Sequence, residues 1–180
     1  PRKIAATRSG TTVYVADNGS RRVLAVTVSS GAVTTVAGSG TLGYAEGAGT
    51  AAHFEYLLGI ALSTDETILY VANPDLYLTD RIRSIVIATG ATALLASENT
   101  QQTMIFPAGM TVYSGSLYVA MSGLGTVRQF PLNNPSGHVL FAGSSRFGDR
   151  DGASPLFGRP NDLVLTADRK ALYIADNNHI

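Results

Sequence analysis

The sequence predicts an all-β fold, a β-propeller of four-stranded antiparallel blades, and three observations carry that prediction. A strand-like phrase occurs four times, as VYVADN (13–18), LYVANP (69–74), LYVAMS (117–122) and LYIADN (172–177). The copies stand roughly 50 residues apart, enough for four strands with their turns and in the range of propeller repeats. The phrase is also apolar on both faces, with Val13 and Val15 on one side and Tyr14 and Ala16 on the other. A strand covered on one face only would alternate with polar residues. Blades arranged radially, each packed between two neighbours, satisfy all three observations.

The remaining strands of each unit follow in order. A short apolar segment precedes the phrase, as KIAAT (3–7), GIALS (59–63), GMTVY (109–113) and DLVLT (162–166). Small polar turns such as STDET (63–67) and TADRK (166–170) join the two, which is hairpin chemistry. A third β-rich run comes next in RRVLAVTV (21–28), RIRSIVIA (81–88) and GTVRQFPL (125–132), and a fourth in VTTVA (33–37), TALLA (92–96) and HVLFA (138–142). The units span about residues 1–42, 57–98, 107–144 and 159–180, the last stopping after its second strand. About three and a half blades are therefore expected, and closed propellers need four to eight. This sequence is expected to be part of a parent of six or so blades, the other blades being its first partners.

Composition narrows the function. Only 14% of the residues are charged, and nineteen glycines suit a protein rich in tight turns. Thirteen basic residues balance thirteen acidic ones, so no global field favours nucleic acid or an anionic membrane. The pairs Arg21/Arg22 and Arg81/Arg83 fall at similar places in two repeats, which favours a structural or solvated role over phosphate binding. There is no cysteine, hence no disulfide and no thiolate chemistry, and no apolar run approaches the roughly 20 residues that span a bilayer. The sequon NGS (18–20) tilts the compartment slightly toward the extracellular space or cell surface.

The phrases GIALSTDETILYVAN (59–73), RPNDLVLTADRKALYIADNNHI (159–180) and VAGSGTLGYAEGAGTAAHF (36–54) resemble NHL-repeat propellers. That resemblance covers almost the whole chain. It implies a propeller fold and, since many such propellers are interaction platforms, a non-enzymatic scaffold for a protein, peptide or glycan partner. Some related propellers are lyases or hydrolases with a metal in the central channel, which is the alternative. The chain departs from the pattern at Met121, where the family usually has Asp, and at Asn73 with the longer loop PDLYLTD (74–80).

In such a propeller the connections from strand two to three, and from strand four to the next blade, emerge on one face. Here that face carries the long loops, and function tends to ride on long loops held by rigid scaffolds. The candidate partner-facing residues are Tyr44, Glu46 and His53 on the loop 38–56, Asp75 and Tyr77 on 74–80, and Arg146, Asp149 and Asp151 on 143–160. In the first and last of these loops Gly47 and Gly152 are expected to permit tight turns, and Phe54 and Phe157 to plug the seams between blades. The recurring Asp17, Asn18, Asn73, Asp176 and Asn177 are expected to shape turns through backbone hydrogen bonds.

No catalytic residues and no cofactor are assigned. GDRDG (148–152) resembles the start of a calcium loop but lacks the later bidentate Glu, and His53, His138 and His179 are poorly placed to share a zinc. Among the innermost segments of blades 2, 3 and 4, only Asp162 brings a carboxylate.

Overall fold

Each repeated phrase forms the second strand of its blade, because its two-sided apolar pattern can be buried only between two sheets. The computed structural model describes residues 1–75, 79–98 and 105–177. Blade 1 is β1 (Lys3–Ala6), β2 (Thr12–Asp17), β3 (Arg22–Thr27) and β4 (Val33–Ala37). A two-residue strand β5 (Gly47–Ala48) and a 3₁₀ turn (Gly49–Ala51) follow. Blade 2 is β6 (Gly59–Leu62), β7 (Ile68–Asn73), β8 (Asp80–Val86) and β9 (Ala91–Glu98). Blade 3 is β10 (Pro107–Tyr113), β11 (Ser116–Met121), β12 (Thr126–Pro131) and β13 (Val139–Gly143), and β14 (Pro160–Leu165) with β15 (Leu172–Asp176) begins blade 4.

All pairings are antiparallel and run in chain order, as a meander requires. The exception is β5, which crosses from the blade 1–2 connection to pair with β9, through Gly47 opposite Thr92 and Ala48 opposite Ala91. Blade 2 thus has five strands where four were expected. The sheets number four, five, four and two strands, a partial propeller.

The seams explain the alternation of the phrase. Leu69 and Val71 of β7 pack toward blade 1 with Tyr14, Ala16 and Phe54, whereas Tyr70 and Ala72 pack toward blade 3 with Leu117 and Val119. One side chain in two therefore serves each neighbour. The consequence is visible at Tyr173, the counterpart of Tyr70: Tyr70 is 5% exposed, while Tyr173 is 64% exposed on the far side of blade 4. Ile4, on the side of blade 1 away from blade 2, is exposed likewise.

Every complete blade carries a bulge between its third and fourth strands. Register slips by one residue between Val23 and Leu24, between Ile82 and Arg83, and between Val127 and Arg128. The extra residues on the outer strands are Val36, Leu95 and Phe141, and such bulges increase the local twist.

The innermost strands approach one another closely. Lys3, Gly59 and Asp162 pair with Ala16, Ala72 and Ala175, and Gly109 stands at the same point in a bulge opposite Ala120. A Cβ on Gly59 would stand 1.8 Å from the Ala108 carbonyl oxygen, and one on Gly109 2.4 Å from the Asp162 Cα. The two ends of the array carry charge at this level instead, and Lys3 Nζ lies 2.6 Å from Asp162 Oδ2. This pair links the first and fourth blades through side chains that both keep contact with solvent. Replacing Lys3 with Met should therefore change the unfolding free energy by less than about 1 kcal/mol, measured by urea denaturation.

Candidate functional site

On β8, residues 81 and 83 point to one face, and both are arginines. The end of β7, the start of β8 and the loop 38–56 meet around them. Arg83 is fully buried. Its Nη1 donates to the His53 carbonyl at 2.6 Å and to Asn73 Oδ1 at 3.3 Å. Its Nη2 donates to the Ala45 carbonyl at 2.5 Å and to Glu46 Oε2 at 2.9 Å. The guanidinium also stacks 4.5 Å from the Phe54 ring centroid. A planar cation with five donors can hold two carbonyls, an amide and a carboxylate at once, which a lysine cannot. The loop closes around it through a bridge between Ala45 and His53.

Arg81 occupies the outer part of the same cluster. It lies 4.1 Å over the Tyr44 ring and donates from Nη1 to Asp75 Oδ2 at 2.9 Å. The Tyr44 hydroxyl donates to Glu46 Oε1 at 2.8 Å, and burial and this carboxylate both raise its pKa. Tyr44, Glu46, His53 and Asp75 are thus brought together, His53 through its backbone. Tyr77 lies outside the described residues. Arg146, Asp149 and Asp151 are exposed on the loop between blades 3 and 4, two seams away.

The arginine register differs from the expectation. Arg22 pairs with Asp17 as Arg81 pairs with Asn73, so these two are equivalent. Arg83 sits opposite Val71 as Leu24 sits opposite Val15, so its counterpart in blade 1 is a leucine. In blade 3 the same place, opposite Val119, is held by Arg128, and Arg83 is buried because the position faces the seam between blades 1 and 2.

The strand-end polar residues act on the backbone. Asn73 Nδ2 donates to the Tyr56 carbonyl at 2.8 Å, Asn18 Oδ1 accepts from the Leu57 N–H at 2.9 Å, and Asp176 accepts from the Gly158 and Arg159 N–H groups at 2.6 and 2.5 Å. Each holds the segment that enters an innermost strand. In the sequon, Ser20 Oγ is engaged with Asp17 Oδ2 at 2.6 Å. Gly47 and Gly152 both have positive φ, at 153° and 104°, Phe54 is fully buried in the blade 1–2 seam, and Phe157 packs at the blade 3–4 seam.

Asp80 is the acid that sequence reasoning overlooked. It is buried, accepting from the Asp75 N–H at 3.2 Å and from the Phe106 N–H at 2.7 Å. Burial raises its pKa above the ordinary 3.8, and the two N–H bonds pull the other way. Burial also raises Glu55, with Asp75 adding to the shift and Arg81 opposing it. A carboxyl raised in the folded state holds its proton to higher pH than in the unfolded chain. Its contribution to stability is present below the ordinary carboxylate range and is lost as pH rises through the folded pKa. Urea midpoints from pH 3.5 to 7 should therefore show Asp80→Asn gaining on the native chain as pH rises, on top of a constant loss from the altered hydrogen bonds. A pH-independent difference would contradict the shift.

Among the described residues no group of three or more His, Asp or Glu could hold a metal ion, and no helix is long and apolar enough to cross a membrane. The loop face does carry large apolar side chains in the open. Leu42 is 56% exposed, Tyr44 41%, Phe106 50% and Phe147 57%, and they come from three successive connections between blades.

No protein-family model matches the chain, and no curated protein matches it. Solved structures do. A structural genomics protein of unknown function from Bacteroides thetaiotaomicron VPI-5482 is similar over 97% of this chain and 42% of its own, with a TM-score of 0.70 at 22% identity. A chain of a nidogen/laminin complex matches over 96% of this chain and 55% of its own, with a TM-score of 0.69 at 17% identity. The PQQ-bound aldose sugar dehydrogenase of Streptomyces coelicolor matches over 98% of this chain and 56% of its own, with a TM-score of 0.62 at 16% identity. The chain thus spans about half the length of these structures. At such identities the likeness establishes the fold, and the chain is a β-propeller in part.

Proposed function

We propose that this chain is a non-enzymatic scaffold of the NHL-like kind, whose loop face engages a protein, peptide or glycan partner. The observation that carries the reading is the display of Leu42, Tyr44, Phe106 and Phe147 on one face. Large exposed apolar side chains gathered on one side of a soluble fold mark interaction surfaces. The loop bearing Tyr44 is braced by a buried arginine, so the display is held rigid before any partner arrives, which lowers the ordering cost of association. A structure solved as a nidogen/laminin complex is among the similar ones, and it supports a protein as the partner class.

The enzyme alternative would place chemistry in the central channel. There Asp162 is already paired with Lys3, and binding therefore remains the better reading. Glycan and peptide arrays probed with the full-length protein test it. A ligand lost on combining Leu42→Asp with Phe147→Asp supports the proposal. Binding unaffected by that pair of substitutions, or stoichiometric metal with hydrolytic or lyase turnover, would sink it.

A further inference from the structure

Leu58, Ala108 and Asn161 each directly precede one of the close-packed positions 59, 109 and 162, and they share a cavity of about 390 Å³. The cavity therefore opens on the loop side of the innermost strands. Its size is within the range of small-ligand pockets. We infer that it binds a small organic anion bearing a flat apolar group, of the aryl carboxylate type.

Two features make it a built site. Phe106, on its wall, has φ of 50°, a left-handed conformation that is uncommon and costly for a bulky residue. The strain is held from both sides, by the buried Asp80 carboxylate on its N–H and by the Ser122 N–H on its carbonyl at 3.1 Å. What this arrangement displays is an exposed ring. Phe147 supplies a second ring from the next connection.

The polar side of the cavity is the complement. Arg159 has its backbone held by Asp176, while its guanidinium makes no hydrogen bond or ion pair among the described residues. The side chains of Asn161 and Ser122, also on the wall, make none either. The carboxylate next along the chain, Asp162, is neutralised by Lys3. A free guanidinium with an amide and a hydroxyl nearby selects a carboxylate, which it can bind through two parallel N–H donors. The two phenylalanines select the flat group.

The test uses phenylacetate as the probe, with acetate, 2-phenylethanol and phenethylamine as controls, titrated into the full-length protein by NMR. Phenylacetate should shift the amides of residues 106, 108, 122 and 161, with the three controls binding about tenfold or more weakly. Arg159→Gln should weaken phenylacetate about tenfold and leave 2-phenylethanol unchanged, whereas Phe106→Ala should weaken both. Both side chains are exposed, and an unchanged thermal midpoint verifies that the variants fold. Equal binding of the acid and the alcohol, native affinity in Arg159→Gln, or no shifts at millimolar phenylacetate would overturn the inference. None of those outcomes touches the macromolecular reading of the loop face, because they are read on the native chain and on Arg159→Gln, which keep Leu42, Tyr44, Phe106 and Phe147 in place.

Discussion

Replacing Arg83 with Leu should lower the unfolding free energy by about 3 kcal/mol, because it leaves the carbonyls of Ala45 and His53 without their donors inside the blade 1–2 seam. In a domain of this size that corresponds to a fall in melting temperature of roughly 6–12 °C. Leucine is the informative substitute, since Leu24 already fills the equivalent place in blade 1. Shape alone would then predict a tolerated change. Limited proteolysis separates the two accounts, as loss of the guanidinium should open the loop 38–56 to cleavage well before the blades unfold. Glu46→Gln makes the contrast. Glu46 is partly exposed and Gln keeps an acceptor, so its cost should stay below about 1 kcal/mol. A native midpoint and native protease resistance in Arg83→Leu would show that the loop is held by Phe54 and the β5 pairing alone.

Replacing Gly59 with Ala should be as damaging, at about 3 kcal/mol or more, although it adds a single methyl group. That methyl would meet the Ala108 carbonyl oxygen at 1.8 Å, and the obstacle is backbone, which cannot rotate away. Relief requires β6 to move off β10, opening the seam that Ala61 and Met110 help to fill. Ala61→Gly, two residues on, serves as the control, since it removes volume from the same strand and should cost about 1 kcal/mol. Thermal unfolding of both variants decides the matter. Near-native stability of Gly59→Ala would mean that the blades are less closely set than described.

These two residues also mark the boundary of what the sequence discloses. Strand-two phrases were legible because burial on both faces leaves a local trace, Val-Tyr-Val-Ala, that needs no knowledge of the neighbour. The strand around Gly59 was legible too, but its reason for being glycine was not. The constraint comes from Ala108, some fifty residues away, and leaves no mark on periodicity. The bulges at Val36, Leu95 and Phe141 are hidden for a related reason, since one extra residue in a short outer strand resembles a slightly longer strand.

At the candidate site the long loops and a structural role for the arginines were legible, while which arginine is buried was not. Arginine in a strand end ordinarily looks solvated, and only the pairing of Arg83 with Val71 reveals that it faces a seam. Asp80 escaped attention in the same way. It stands where Arg21 stands in blade 1, and only the fold delivers the Phe106 N–H to it.

The strand β5 carries a consequence for how the chain comes apart. Repeat proteins unfold according to the strength of each repeat and of each junction between repeats. The junction between blades 1 and 2 is reinforced by a strand that leaves one blade and joins the edge of the other, and by the Arg83 contacts to the same loop. Blades 1 and 2 should therefore melt in a single step. In hydrogen exchange, the amides of β3 and of β8 should open with one shared free energy, and the cooperative unit of this propeller would then be a pair of blades.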